Sequence, residues 1–137
     1  MSLVIDSSMT LAWCFEDEGA EVAVGLLNRV VEEGAVVPGL WRLEVASGLQ
    51  VAVRRRRIDS AYRDATLADL RDLAVEVDVE TDGRAWTDIL HLADRLRLTV
   101  YDAAYLELAQ RRRLPLATLD RELVAAGKTL GVDVLGA

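Results

Sequence analysis

Short apolar segments alternate with longer helical ones along the whole chain, and this alternation constrains the fold more than any other feature. Residues 2–5, 35–37, 75–79, 115–118 and 132–135 are brief runs rich in Val, Leu and Ile, each of strand length. Between them lie stretches with apolar residues at helical spacing, such as Ala23, Leu26, Leu27, Val30 and Val31. Strands that alternate with helices join through crossovers, so they lie parallel and the helices cover both faces of the sheet. The expected fold is α/β, with a parallel sheet of four to five strands. Val75-Glu76-Val77-Asp78-Val79 alternates apolar and polar residues, which places it near an edge with one face exposed.

Local signals set the helix limits. Ser7 or Ser8 is placed to cap a helix running to about residue 13. Glu16-Asp17-Glu18-Gly19 breaks the apolar pattern before a helix over 20–33, which Gly34 ends. Further helices are expected over 40–55, from Asp59 or Ser60 to 73, from Thr81 or Asp82 to 96 (with Trp86, Ile89, Leu90, Ala93 and Leu96 on its apolar stripe), over 101–112, and from 121 to Gly127. No repeat, low-complexity tract or linker divides the 137 residues, so a single domain spanning 1–137 is expected.

Four acids fall where strands end or helices begin: Asp6, Glu44, Asp102 and Asp120. Open α/β sheets bind ligands at the carboxyl ends of their strands. Asp6 and Asp120 each follow a strand. Glu44 and Asp102 lie within about a turn of the start of helices that begin at the same edge. Each also has a bland explanation. Asp6 and Asp120 can cap helices. Glu44 can face solvent. Thr99-Val100-Tyr101-Asp102 has capping-box spacing, and Thr118 can bond its own turn. Together they mean more: crowded carboxylates raise one another's pKa, and a hard divalent cation relieves that repulsion. An oxygen-only set suits Mg²⁺ or Mn²⁺ and disfavours Zn²⁺. Such a site suits an anionic substrate, because the metal bridges carboxylate and phosphate.

Rival chemistries lack their residues. The sole histidine, His91, lies mid-helix and far in sequence from Ser7, Ser8 and Ser47. The sole cysteine, Cys14, excludes an intramolecular disulfide and reads as a small core residue. Lys128 is the sole lysine, and no glycine-rich phosphate loop is present. No apolar run is long enough to span a bilayer, and no secretory leader is evident, so a cytoplasmic protein is expected. The net charge of −7 argues against binding nucleic acid by bulk attraction. It is unevenly placed: Arg54, Arg55, Arg56 and Arg57 form one basic run and residues 111–113 another. Each run is either a solvated helix end favourable to the helix dipole or a set of phosphate contacts. Trp13, Phe15, Trp41 and Trp86 are expected in the core or on a partner-binding surface.

Val4-Ile5-Asp6-Ser7-Ser8 with Leu11-Ala12-Trp13, the stretch from Pro38 to Leu49 around Glu44, Tyr101-Asp102-Ala103-Ala104-Tyr105-Leu106-Glu107-Leu108-Ala109, and Pro115-Leu116-Ala117-Thr118-Leu119-Asp120 resemble, in order, the four motifs of PIN-domain ribonucleases. The similarity is strongest to VapC toxins of toxin–antitoxin pairs and extends from residue 2 to about 135. It implies a three-layer α/β/α sandwich and Mg²⁺- or Mn²⁺-dependent cleavage of single-stranded or looped RNA. It also implies a VapB-like antitoxin in the active-site groove and commonly a homodimer. By that resemblance metal binding and catalysis would fall to Asp6, Glu44, Asp102 and Asp120, with Thr118 supporting the last; Ser7 is a further supporting candidate, and Arg54, Arg55, Arg56 and Arg57 stay candidate phosphate contacts from the residue pattern alone. Many members carry Asn where this chain has Ser8. A PIN-family processing nuclease, a small-molecule metal-dependent phosphohydrolase and an inactive partner-binding module remain as alternatives.

Overall fold

The computed structural model describes residues 1–15 and 20–136, with only the backbone of Ala20; the expected break at Glu16–Gly19 lies outside them. Strand β1 (Leu3–Ile5) leads into helix α1 (Ser7–Cys14), then α2 (Ala20–Glu33), β2 (Ala35–Val37), α3 (Leu40–Arg54), α4 (Ser60–Arg71) and β3 (Val75–Val77). Helices α5 (Leu90–Leu96) and α6 (Val100–Arg112), strand β4 (Leu116–Ala117), helix α7 (Arg121–Thr129) and strand β5 (Val134–Leu135) complete the order.

All five strands pair in parallel, in the order β3-β2-β1-β4-β5. Leu3, Val4 and Ile5 of central β1 are fully buried, as a strand covered on both faces must be. The sheet grows from β1 in one direction through β2 and β3 and in the other through β4 and β5. With right-handed crossovers, that reversal puts α1–α4 on one face and α5–α7 on the other, giving three layers. It also opens a crevice at the carboxyl ends of β1 and β4, where a doubly wound sheet binds its ligand. Helix α6 lies over β1 and β4, and its residues from Ala103 to Ala109 are all buried.

Three local expectations change. Strand β3 stops at Val77 because Asp78 turns inward, taking hydrogen bonds from Thr81 Oγ1 at 2.7 Å and Arg111 at 2.8 Å, while Val79 is left exposed. The helix expected over 81–96 is a 3-10 turn (Asp82–Arg84), a π-helical turn (Ala85–Ile89) and then α5. The wider turn shifts the register so that Ile89, Leu92 and Ala93 face inward while Trp86 is 89% exposed and outside the core. The third change is the cap of α1: Asp6, not Ser7 or Ser8, fills that role.

The basic run at 111–113 splits. Arg111 bridges Asp78 and Glu107, and Arg112 pairs with Glu76, so these two guanidiniums serve carboxylates of the same chain. Their hydrogen bonds, led for Arg111 by that to Asp78, hold both pKa values above normal. Cys14 is buried, and burial pushes its thiol up to about 11; His91 is exposed on α5.

Candidate active site

Asp6 closes β1 and is 3% exposed. Its backbone is extended, so it precedes the helix, and Oδ1 accepts the Met9 N–H at 2.9 Å as an N-cap. Oδ1 also accepts Ser8 Oγ at 2.7 Å, and Oδ2 accepts the Thr118 hydroxyl from beyond β4. Ser8 and Thr118 in turn accept the backbone N–H groups of Leu119 and Asp120, each at 3.0 Å. Two hydroxyls therefore staple the loop after β4 onto the carboxylate after β1. Burial pushes the Asp6 pKa up and the repulsion of Asp120 adds to it, against the pull of hydrogen bonds from Thr118, Met9 and Ser8; the net direction is up.

Asp120 caps α7, with Oδ1 accepting Leu123 N–H at 2.9 Å. Asp102 stands in the first turn of α6, where Thr99 Oγ1 accepts its backbone N–H at 3.1 Å, the cap its spacing predicted. Burial, then the charges of Asp120, Asp6 and Glu44, push the Asp102 carboxyl up to about 6. The charges of all three other acids therefore act on Asp102 in the same direction as its burial. Glu44, half-buried on α3, accepts the Tyr105 hydroxyl on Oε1 at 2.7 Å. Tyr105 is 1% exposed. Burial first, then the bond to Glu44, hold its pKa well above normal, while the neighbouring Ser7 acts weakly in the opposite sense.

Three of the acids are anchored by protein donors. Asp120 and Glu44 each tie one oxygen to a protein donor, and among the described residues no donor reaches the other. Asp6 has two donors on Oδ1 and one on Oδ2, leaving a lone pair on Oδ2. Among the described residues no three Asp, Glu, His or Cys side chains close tightly enough to cage an ion. Mg²⁺ needs no such cage, since it keeps several waters and takes one or two carboxylates with substrate phosphate. The all-oxygen donors and their mutual repulsion fit a hydrated divalent cation.

Of the supporting residues expected from sequence, Thr118 binds Asp6, whereas Ser7 lies beside Tyr105 and Ser8 takes the place beside Asp6. Ser8 and Tyr105 were missed. Tyr105 left one signal, a hydroxyl amid the small apolar residues of a buried helix, which demands a partner. Arg54 to Arg57 are exposed at the C-terminal end of α3. Arg54, the last residue of α3, is ten residues, or about 15 Å of helix, from Glu44, and Arg57 stacks 4.1 Å from the Phe15 ring centroid.

A family model described as PIN domain matches residues 3–128. Ribonuclease VapC3 of Pyrobaculum aerophilum is 31% identical over 123 residues, which is 90% of this chain and 92% of that protein. The crystal structure of PAE2754 from the same organism superposes with a TM-score of 0.71 at 26% identity, over 98% of this chain and 90% of that one. VapC20 of Mycobacterium tuberculosis, described as a sarcin–ricin loop cleaving toxin, shares the fold at a TM-score of 0.66 and 19% identity, covering 92% and 95% of the two chains.

Proposed function

Because the chain belongs to the PIN-domain family, we propose that it is a divalent-metal-dependent endoribonuclease and the toxin of a type II toxin–antitoxin pair. The observation that carries this reading is the PIN-domain match over residues 3–128, and the placement of Asp6 after β1 and Asp120 after β4, at the carboxyl ends of paired strands, is consistent with it. The ribonuclease and toxin names of relatives with this fold support it.

Asp6, Asp102, Glu44 and Asp120 would hold the ion, the first two most directly. Bound there, Mg²⁺ or Mn²⁺ would polarise a phosphodiester and make a coordinated water more acidic. Ser8 and Thr118 keep Asp6 in one orientation, so its free Oδ2 lone pair is presented without side-chain reorganisation. The helix caps of Asp6 and Asp120 fix the other oxygens against rigid elements, as preorganised sites require. The acids repel an RNA backbone until a cation neutralises them, so substrate and cation binding are coupled. Arg54 to Arg57 would meet RNA several nucleotides from the scissile phosphate.

A homodimer, a cytoplasmic location and a VapB-like antitoxin complete the proposal; among the described residues no helix is long and apolar enough to cross a membrane. The test is incubation of the purified chain, free of antitoxin, with looped RNA and Mg²⁺ or Mn²⁺. Cleavage that EDTA and Asp6→Asn both abolish is expected; cleavage surviving either overturns the metal-nuclease reading. Expression alone should arrest growth, and a short neighbouring gene for a DNA-binding protein should relieve it. Unimpaired growth on full expression would remove the toxin assignment.

A further inference from the structure

We propose that Tyr105 is a positioning residue for RNA cleavage, holding Glu44 by one carboxylate oxygen so that the other is left for a ligand. The inference rests on the nuclease reading above. Glu44 lies at the margin of α3, half-buried between buried Trp41 and exposed Ser47 one turn to either side, where a flexible glutamate is free to turn to water. Instead its Oε1 accepts the Tyr105 hydroxyl at 2.7 Å. Tyr105 cannot follow Glu44 outward, because it is 1% exposed on a helix that packs over β1 and β4.

The placement of Tyr105 supplies the functional argument. It stands three residues after Asp102 on α6, nearly one turn along the same rigid element. Helix α6 thus carries one acid directly and grips a second through Tyr105. The separation of Asp102 and Glu44 is set by one helix, not by two independent side-chain rotamers. Partners that orient a metal-binding carboxylate contribute about 10–100-fold to metal affinity or activity in general.

Three full-length variants test this: Tyr105→Phe, Glu44→Gln and the double variant. Mn²⁺ binding is read by electron paramagnetic resonance without RNA, and kcat and KM are read on RNA at limiting Mg²⁺. Folded Tyr105→Phe should bind Mn²⁺ about 10-fold or more weakly and lose kcat by a similar factor, with KM for RNA unchanged. In the Glu44→Gln background the same change should cost less than about twofold, because a contact acting through Glu44 has nothing left to act on. Wild-type Mn²⁺ affinity in Tyr105→Phe, or an equal loss in both backgrounds, overturns the proposal and leaves Tyr105 a core residue. If Tyr105→Phe does not fold, Glu44→Asp withdraws the carboxylate from Tyr105 without touching the core. It should weaken Mn²⁺ as much, and wild-type affinity there also overturns the proposal. Intact Mn²⁺ coupling with no RNA cleavage by the wild type would support the positioning role and refute the nuclease reading alone.

Discussion

Asp102→Asn should stabilise the metal-free protein at pH 8. Ionised Asp102 is unfavourable in the fold because burial and three neighbouring carboxylates push its pKa from 3.8 to about 6. A shift of about two units corresponds to about 3 kcal/mol at 1.36 kcal/mol per unit. Asp102 is half-buried, so solvent screening reduces this to roughly 1.5–2 kcal/mol. Losing a negative charge from a helix first turn returns about 0.5 kcal/mol, leaving a net gain of about 1 kcal/mol. At about 2.1 cal/mol/K per residue, unfolding 137 residues carries about 0.3 kcal/mol/K, so Tm should rise by ~3–4 °C in EDTA. The folded pKa lies above the unfolded one, so the folded state takes up its proton first as pH falls. Wild-type stability from this group therefore increases as pH drops from about 6 towards 4, and the advantage of the variant shrinks over the same window. Excess Mg²⁺ should reverse the order by stabilising the wild type. Thermal melts at pH 8 and pH 4.5, with EDTA and with Mg²⁺, measure all of this. An Asp102→Asn protein that melts no higher than wild type in EDTA at pH 8, or gains equally at both pH values, refutes the reasoning.

Thr118→Val removes a donor from the buried Asp6 and orphans the Asp120 N–H; it should cost about 1.5–3 kcal/mol in urea unfolding and about 10–100-fold in RNA cleavage. Arg111→Met leaves the side chains of Asp78 (4% exposed) and Glu107 (6%) buried without their main partner, so a loss of about 3–5 kcal/mol is expected by the same method. Arg113 ends α6 with φ +55° and is exposed; Arg113→Gly should raise stability by about 1 kcal/mol, read as a higher urea midpoint.

The strand–helix alternation was legible because short apolar strands of two or three residues and long helices with apolar stripes read differently in sequence, and it correctly implied the parallel sheet. Asp6 and Asp120 were legible because the first follows its strand directly and the second follows within three residues. The cap of α1 was expected at Ser7 or Ser8, and Asp6 fills it instead. A carboxylate has two oxygens, and Asp6 caps with Oδ1 while Oδ2 accepts the Thr118 hydroxyl. Glu44 has no such local marker, since its partner Tyr105 lies 61 residues away. The hydroxyl of Ser8 reaches Asp6 and the backbone of Leu119 at once, a link only the β1–β4 pairing creates. Trp86 misled because a π turn breaks the helical period on which its assignment rested. Asp78 gave no sign of its inward turn, because its partner Arg111 belongs to α6.

The central claim is that four acids from separate elements act as one cation site. Mn²⁺ binding to the RNA-free protein, measured by electron paramagnetic resonance for the wild type and for Asp6→Asn, Glu44→Gln, Asp102→Asn and Asp120→Asn, tests it most directly. Every variant should remain folded and bind Mn²⁺ at least about 10-fold more weakly, with Asp6→Asn and Asp102→Asn affected most. Wild-type affinity in either of those two, or no specific Mn²⁺ binding by the wild type, would contradict it.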